Sequence, residues 1–94
     1  MSAQEDDLWQ LKTGTAALAV CIVRTLQKSD PDFEERFLEN LERAYYHFRE
    51  QEGWTRADGS PRPVQNILEV LAWTREFLTG WNPALGKMKP FLKP

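Results

Sequence analysis

Cysteine and histidine each occur only once in this 94-residue chain, as Cys21 and His47. A single cysteine excludes an intramolecular disulfide. One cysteine and one histidine are too few for a structural zinc site, which usually needs about four such ligands. We therefore expect no metal or other cofactor, and the lack of a disulfide framework predicts a cytoplasmic protein.

Long hydrophobic runs and glycine-rich phosphate loops are also missing. The uncharged stretch at residues 13–23 is far shorter than the roughly 20 apolar residues that cross a bilayer, so we expect no membrane association. No spacing supports a serine–histidine–aspartate set, and Cys21 lies among aliphatic residues that disfavour a reactive thiolate. The sequence therefore predicts a protein that is not an enzyme.

The net charge of −2 gives the chain no overall electrostatic footprint for nucleic acid. Arg49, Arg56 and Arg62 nevertheless cluster around one loop, with Trp54 among them. Basic residues interleaved with an aromatic can contact phosphates and stack a base. Nucleic-acid binding through these arginines and the lysines of the C-terminal tail is thus an alternative, although the neighbouring helix is acidic.

Hydrophobic periodicity predicts an all-α fold with three helices, each antiparallel to the next, at about residues 6–28, 31–52 and 61–79. Asp30-Pro31 and Ser60-Pro61 have the cap-then-proline pattern that starts a helix. Gly53 and Gly80 are placed as left-handed helix stops. Asp58-Gly59 predicts a turn between the second and third helices.

Two apolar stripes on the first helix are the most informative pattern. One consists of Leu8, Leu11, Leu18, Ala19, Ile22 and Leu26, and the other of Trp9, Ala16, Val20 and Val23. A surface helix needs only one apolar stripe, so the second predicts cover from another element or another chain. The third helix likewise carries an additional stripe that contains Val70, Trp73, Phe77 and, just past its end, Trp81.

Residues 1–80 are predicted to form the helical domain, and residues 81–94 an irregular tail with three prolines and several lysines. The tail also contains Met88, Phe91 and Leu92, which are apolar enough to dock. Whether they dock on this chain, on a neighbour or not at all is open from sequence.

The leading hypothesis is a non-enzymatic protein–protein interaction module, an adaptor or regulator that acts as a homodimeric helical bundle. Tryptophan is enriched at the energetic centres of interfaces, and four occur here. The predicted interface with a twin subunit or another protein partner consists of Trp9, Ala16, Val20, Val23, Trp73, Phe77 and Trp81. A bundle that binds a small ligand in an aromatic pocket is a further alternative.

Overall fold

The computed structural model describes residues 3–50, 55–60, 62–82, 86–87 and 89–92. Within these residues the chain forms three helices, α1 (Ala3–Gln27), α2 (Phe33–Glu50) and α3 (Gln65–Thr79), which confirms the predicted all-α fold. α3 packs most extensively on α1 and less on α2. Lys12 contacts Glu69, and Arg24 contacts Leu78 further along both helices, so α1 and α3 run in the same direction.

The core lies where the second half of α1 meets the end of α3. Val20, Val23 and Leu78 are completely buried and form its centre. Partly buried side chains surround them: Phe33, Phe37, Leu38 and Phe77. α2 contributes no fully buried residue, so it covers the core with one face and exposes the rest.

The start of α2 lies two residues later than predicted. Residues 31 and 32 form a turn, and the backbone N–H of Phe33 donates to the carbonyl of Asp30 at 3.0 Å. The Asp30 carboxylate forms an ion pair with Arg36. Asp30 therefore stabilises the entry to α2 through its carbonyl and this ion pair.

The predicted start of α3 at residue 61 is wrong, because the helix begins at Gln65. Arg62 precedes Pro63, and steric conflict with a following proline disfavours helical backbone angles. Ser60, the predicted cap, donates through its backbone N–H and its hydroxyl to the Asp58 carboxylate, at 3.0 and 2.7 Å. These bonds lower the pKa of Asp58 and close the loop before the helix starts.

The predicted turn and the predicted stop of α3 are both confirmed. Gly59 has a φ of 87°, and its N–H donates to the Arg56 carbonyl at 2.9 Å. Gly80 is left-handed, with a φ of 75°, and its N–H donates to the Glu76 carbonyl at 2.7 Å. Gly53 and the predicted end of α2 at residue 52 lie outside the described residues.

Part of the C-terminal tail forms backbone hydrogen bonds with itself and with α3. Trp81–Asn82 pairs with Gly86–Lys87 as a two-stranded antiparallel ladder, β1 and β2. Further on, the N–H of Phe91 donates to the Phe77 carbonyl at 2.6 Å, and the two rings lie 5.9 Å apart. The tail thus covers one side of α3 on its own chain, a possibility that the sequence had left open.

Arg24 connects all of these elements from a nearly buried position, with 9% of its surface exposed. It forms an ion pair with Glu34 of α2 at 2.8 Å and donates to the Leu78 carbonyl at 2.9 Å. It also donates to the Phe91 carbonyl in the tail at 3.2 Å and to Gln27 at 3.0 Å. One guanidinium therefore holds the end of α1 to α2, α3 and the tail.

Candidate functional site

The face of α1 opposite the core is uncovered and apolar over most of its length. At 100° per residue, this face lies roughly 150° around the helix from the buried residues. Leu11, Leu18 and Ile22 are exposed to 68%, 62% and 52%. We call this row the α1 seam: Leu8, Leu11, Thr15, Leu18, Ile22 and Thr25.

The two threonines do not make the α1 seam polar. The hydroxyl of Thr15 donates to the Leu11 carbonyl at 2.7 Å, and that of Thr25 donates to the Cys21 carbonyl at 2.8 Å. Because each hydroxyl proton is already bonded within the helix, covering these side chains would leave no donor without an acceptor. The seam can therefore be buried along its whole length at small polar cost.

Aliphatic residues beside the seam widen the apolar surface at both ends. Near the start of α1, Leu8 and Leu11 border a groove of about 360 Å³ that Ile67 and Leu71 of α3 line from the other side. Near the end of α1, Leu26 is exposed to 42% beside the seam. The uncovered surface thus extends from α3 across α1.

Lys12 fixes the position of α1 against α3 beside this groove. Its ammonium forms an ion pair with Glu69, donates to Asn66 at 3.2 Å and lies 4.9 Å from the centre of the Trp73 ring. The hydrogen bond from Lys12 lowers the pKa of the Glu69 carboxyl. These contacts keep the edge of the seam from shifting relative to α3.

Three of the seven predicted interface residues belong to the core, which corrects the prediction for them. Ala16, Val20 and Val23 are completely buried within the single chain. Val20 and Val23 pack with Leu78 of α3 and the phenylalanines of α2, and none of the three residues offers surface to a partner. The spare stripe of α1 is the other one, which includes Leu8, Leu11, Leu18 and Ile22.

The four aromatic residues of the predicted interface are exposed to different degrees. Trp9 is 58% exposed and Trp81 is 50% exposed. Trp73 and Phe77 are half-buried, and together with Trp9 they line a shallow groove of about 180 Å³. Phe77 is partly covered by Phe91 of the tail. The guanidinium carbon of Arg75 lies 6.0 Å from the centre of the Trp81 ring.

Within the part of the chain that the structure describes, Arg49 and Arg62 contact other protein groups. Arg49 pairs with Glu50 at 3.0 Å and lies 4.4 Å from the centre of the Tyr46 ring; its pKa is raised, mainly by the bond to Glu50. Arg62 donates to the Thr55 carbonyl at 3.2 Å, and Arg56 is exposed. Trp54 lies outside the described residues. Nucleic-acid binding stays a prediction.

For the ligand-binding alternative, a groove of about 320 Å³ lies between α2 and α3. Leu41, Tyr45, Tyr46 and Leu71 are among the residues that line it, with Arg49 and Arg75. His47 is exposed on α2, with its ring 5.3 Å from that of Phe48. Ligand binding in this groove likewise stays a prediction.

Sequence reasoning found the leucines of the α1 seam as a stripe but assigned the interface to the other stripe. The spacing of the row, three residues and then four, is that of a helix that packs along another helix, but the other stripe has compatible spacing, so the sequence alone does not separate the two. Sequence reasoning also missed Arg24, because a single arginine at the end of an apolar stretch gives no sign of the acceptors that Glu34, Leu78 and Phe91 supply from other segments.

Within the described ranges, no group of three or more histidine, cysteine, aspartate or glutamate side chains is arranged to hold a metal ion. In the same part of the chain, none of the helices has the length and apolar character needed to cross a membrane. No protein-family model, curated protein sequence or solved structure matches this chain.

Proposed function

We propose that this protein is a non-enzymatic helical interaction module, an adaptor or regulator, that acts as a homodimer through the α1 seam. The observation that carries the proposal is the row of exposed side chains, aliphatic except for Thr15 and Thr25, on a helix whose other side is well packed. Contiguous apolar surface of this kind marks an interaction site in soluble proteins. The proposal places the contact on Leu8, Leu11, Leu18 and Ile22 rather than on the buried stripe.

The size of the exposed surface supports a second copy as the partner. The exposed fractions of Leu8, Leu11, Leu18, Ile22, Leu26 and Ile67 amount to about three whole aliphatic side chains. Two facing copies would bury about six, worth roughly 9–18 kcal/mol at 1.5–3 kcal/mol each. The lost translational and rotational freedom of two associating chains costs on the order of 4–15 kcal/mol. The free energy gained by burying this surface is therefore enough to offset that cost and leave a modest net stabilisation of the dimer.

The experiment compares two variants that add the same charge to α1. Leu18→Glu places a carboxylate in the seam, and Gln10→Glu places one at an exposed position outside it. Because Leu18 is 62% exposed, its replacement leaves the monomer core intact. Light scattering on a sizing column gives the solution mass of each variant, and circular dichroism gives its helix content.

We expect Leu18→Glu to have the mass of one chain and Gln10→Glu to have the dimer mass of the unmodified protein, with equal helix content. The reason is that dimerisation would bury the new carboxylate of Leu18→Glu without a partner charge. Equal masses for the two variants would contradict the proposal.

A further inference from the structure

We infer that the two copies pack α1 against α1 in antiparallel directions, with the two-fold axis crossing the seam between residues 16 and 17. This inference rests on the proposed function and adds the direction and register of the contact. The spacing, side-chain sizes, charges and flanking residues of the α1 seam all support it.

The spacing of the α1 seam reads the same in both directions. From Leu8 to Thr25 its residues are separated by three, four, three, four and three positions. This is the repeat of a helix that packs along another helix. Because reversing the row reproduces it, a second copy in the opposite direction places every seam residue across from a seam residue.

The side chains brought together have suitable sizes. In this register Leu8 faces Thr25, Leu11 faces Ile22 and Thr15 faces Leu18, and the two-fold axis repeats each pair. Two of the three pairs combine a large and a small side chain, as close packing of facing residues favours. A parallel pair would instead place Thr15 against Thr15 and leave that layer poorly filled.

Charges at the two ends of α1 favour the same direction. The first turns contain Glu5, Asp6 and Asp7, whereas Lys28 follows directly after the other end of the helix. An antiparallel pair brings Asp7 of one copy to Lys28 of the other, and both residues are exposed in the single chain. A parallel pair would set the two acidic ends side by side, where like charges repel.

Small residues on one flank of the seam permit the close approach that this packing needs. Gly14 and Cys21 lie on the same side of the row, seven positions apart, and both are exposed. The two-fold axis places Gly14 of one copy beside Cys21 of the other. This pairing is specific to the antiparallel register, so it provides the test.

The test uses two proteins that each have one cysteine. The unmodified chain has only Cys21, and the variant Gly14→Cys/Cys21→Ser has only a cysteine at position 14. A Cβ atom at Gly14 would have no neighbour within 4 Å, so the substitution fits the single chain. The two proteins are treated with a short bismaleimide cross-linker, separately and as a mixture that has exchanged subunits.

We expect covalent dimer from the mixture and little from either protein alone, because only the mixture brings position 14 beside Cys21. Peptide mapping should locate the link between these two positions. Equal or greater cross-linking of each protein alone would overturn the antiparallel register.

The proposed function and this inference fail in different ways. A dimer mass without cross-linking of the mixture would refute the register and leave the homodimer in place. A single-chain mass for both proteins would refute both.

Discussion

Arg24 should contribute strongly to the stability of the fold, because it bonds to α2, α3 and the tail. We consider Arg24→Met, which keeps the aliphatic length of the side chain and removes its guanidinium. The change removes the ion pair with Glu34, whose side chain is only 18% exposed, and the bonds to the Leu78 and Phe91 carbonyls.

Breaking a buried ion pair by removing one partner costs roughly 3–5 kcal/mol. Because Glu34 keeps some contact with water, we take the lower end, about 3 kcal/mol. For a domain of this size, 1 kcal/mol corresponds to a change in Tm of about 4–8 °C, so Tm should fall by roughly 12–24 °C. Thermal unfolding is followed by circular dichroism at one fixed chain concentration, because the stability of a dimer depends on concentration.

A double-mutant cycle isolates the ion pair from the other bonds of Arg24. Glu34→Gln removes the partner charge, and we expect the double variant to lose less stability than the two single variants combined. A loss below about 1 kcal/mol for Arg24→Met, or costs that simply add, would refute the role assigned to this pair.

Three other contacts give further predictions. Gly80→Ala should lower the free energy of unfolding in urea titrations by about 1–2 kcal/mol, because Gly80 is left-handed and a Cβ atom disfavours that conformation. Phe91→Ala should lower the free energy of unfolding by about 1–2 kcal/mol, because the contact with Phe77 is lost. Hydrogen exchange of the amide at position 91 should become faster, and an unchanged rate would contradict docking of the tail. Lys12 lowers the pKa of Glu69 in the folded state. The ion pair therefore stabilises the folded protein at pH values above the unfolded pKa of Glu, about 4.3. This stabilisation is lost as the pH falls through the lower folded pKa. Glu69→Gln should therefore lower Tm at neutral pH, by the equivalent of at most about 1 kcal/mol, and the difference should disappear once the pH falls below the lowered folded pKa of Glu69; a difference that does not change with pH would contradict this.

The helices could be predicted from sequence because their signals are local. Apolar periodicity located all three, and Gly80 marked the end of α3. The start of α3 was misplaced because two local signals competed. Ser60-Pro61 has the form of a helix start, but Pro63 disfavours helical angles at Arg62, and Asp58 accepts both Ser60 donors.

The candidate site could be predicted only in part, because its location depends on which stripe the other helices cover. Both stripes of α1 are apolar, and the sequence alone ranks neither as the core. Val20 and Val23 are buried because Leu78 and the phenylalanines of α2 pack on them. Contacts between segments so distant in sequence leave no local pattern. The contacts of Phe91 with Phe77 and of Arg24 with Glu34 and Leu78 could not be predicted for the same reason.

The solution mass of the unmodified protein, followed by sedimentation equilibrium over a wide range of dilution, tests the central claim most directly. The proposed homodimer predicts a mass of twice the 11.0 kDa of one chain at high concentration, with dissociation on dilution and no larger species. A well-folded protein with a mass of 11.0 kDa at every concentration would contradict it.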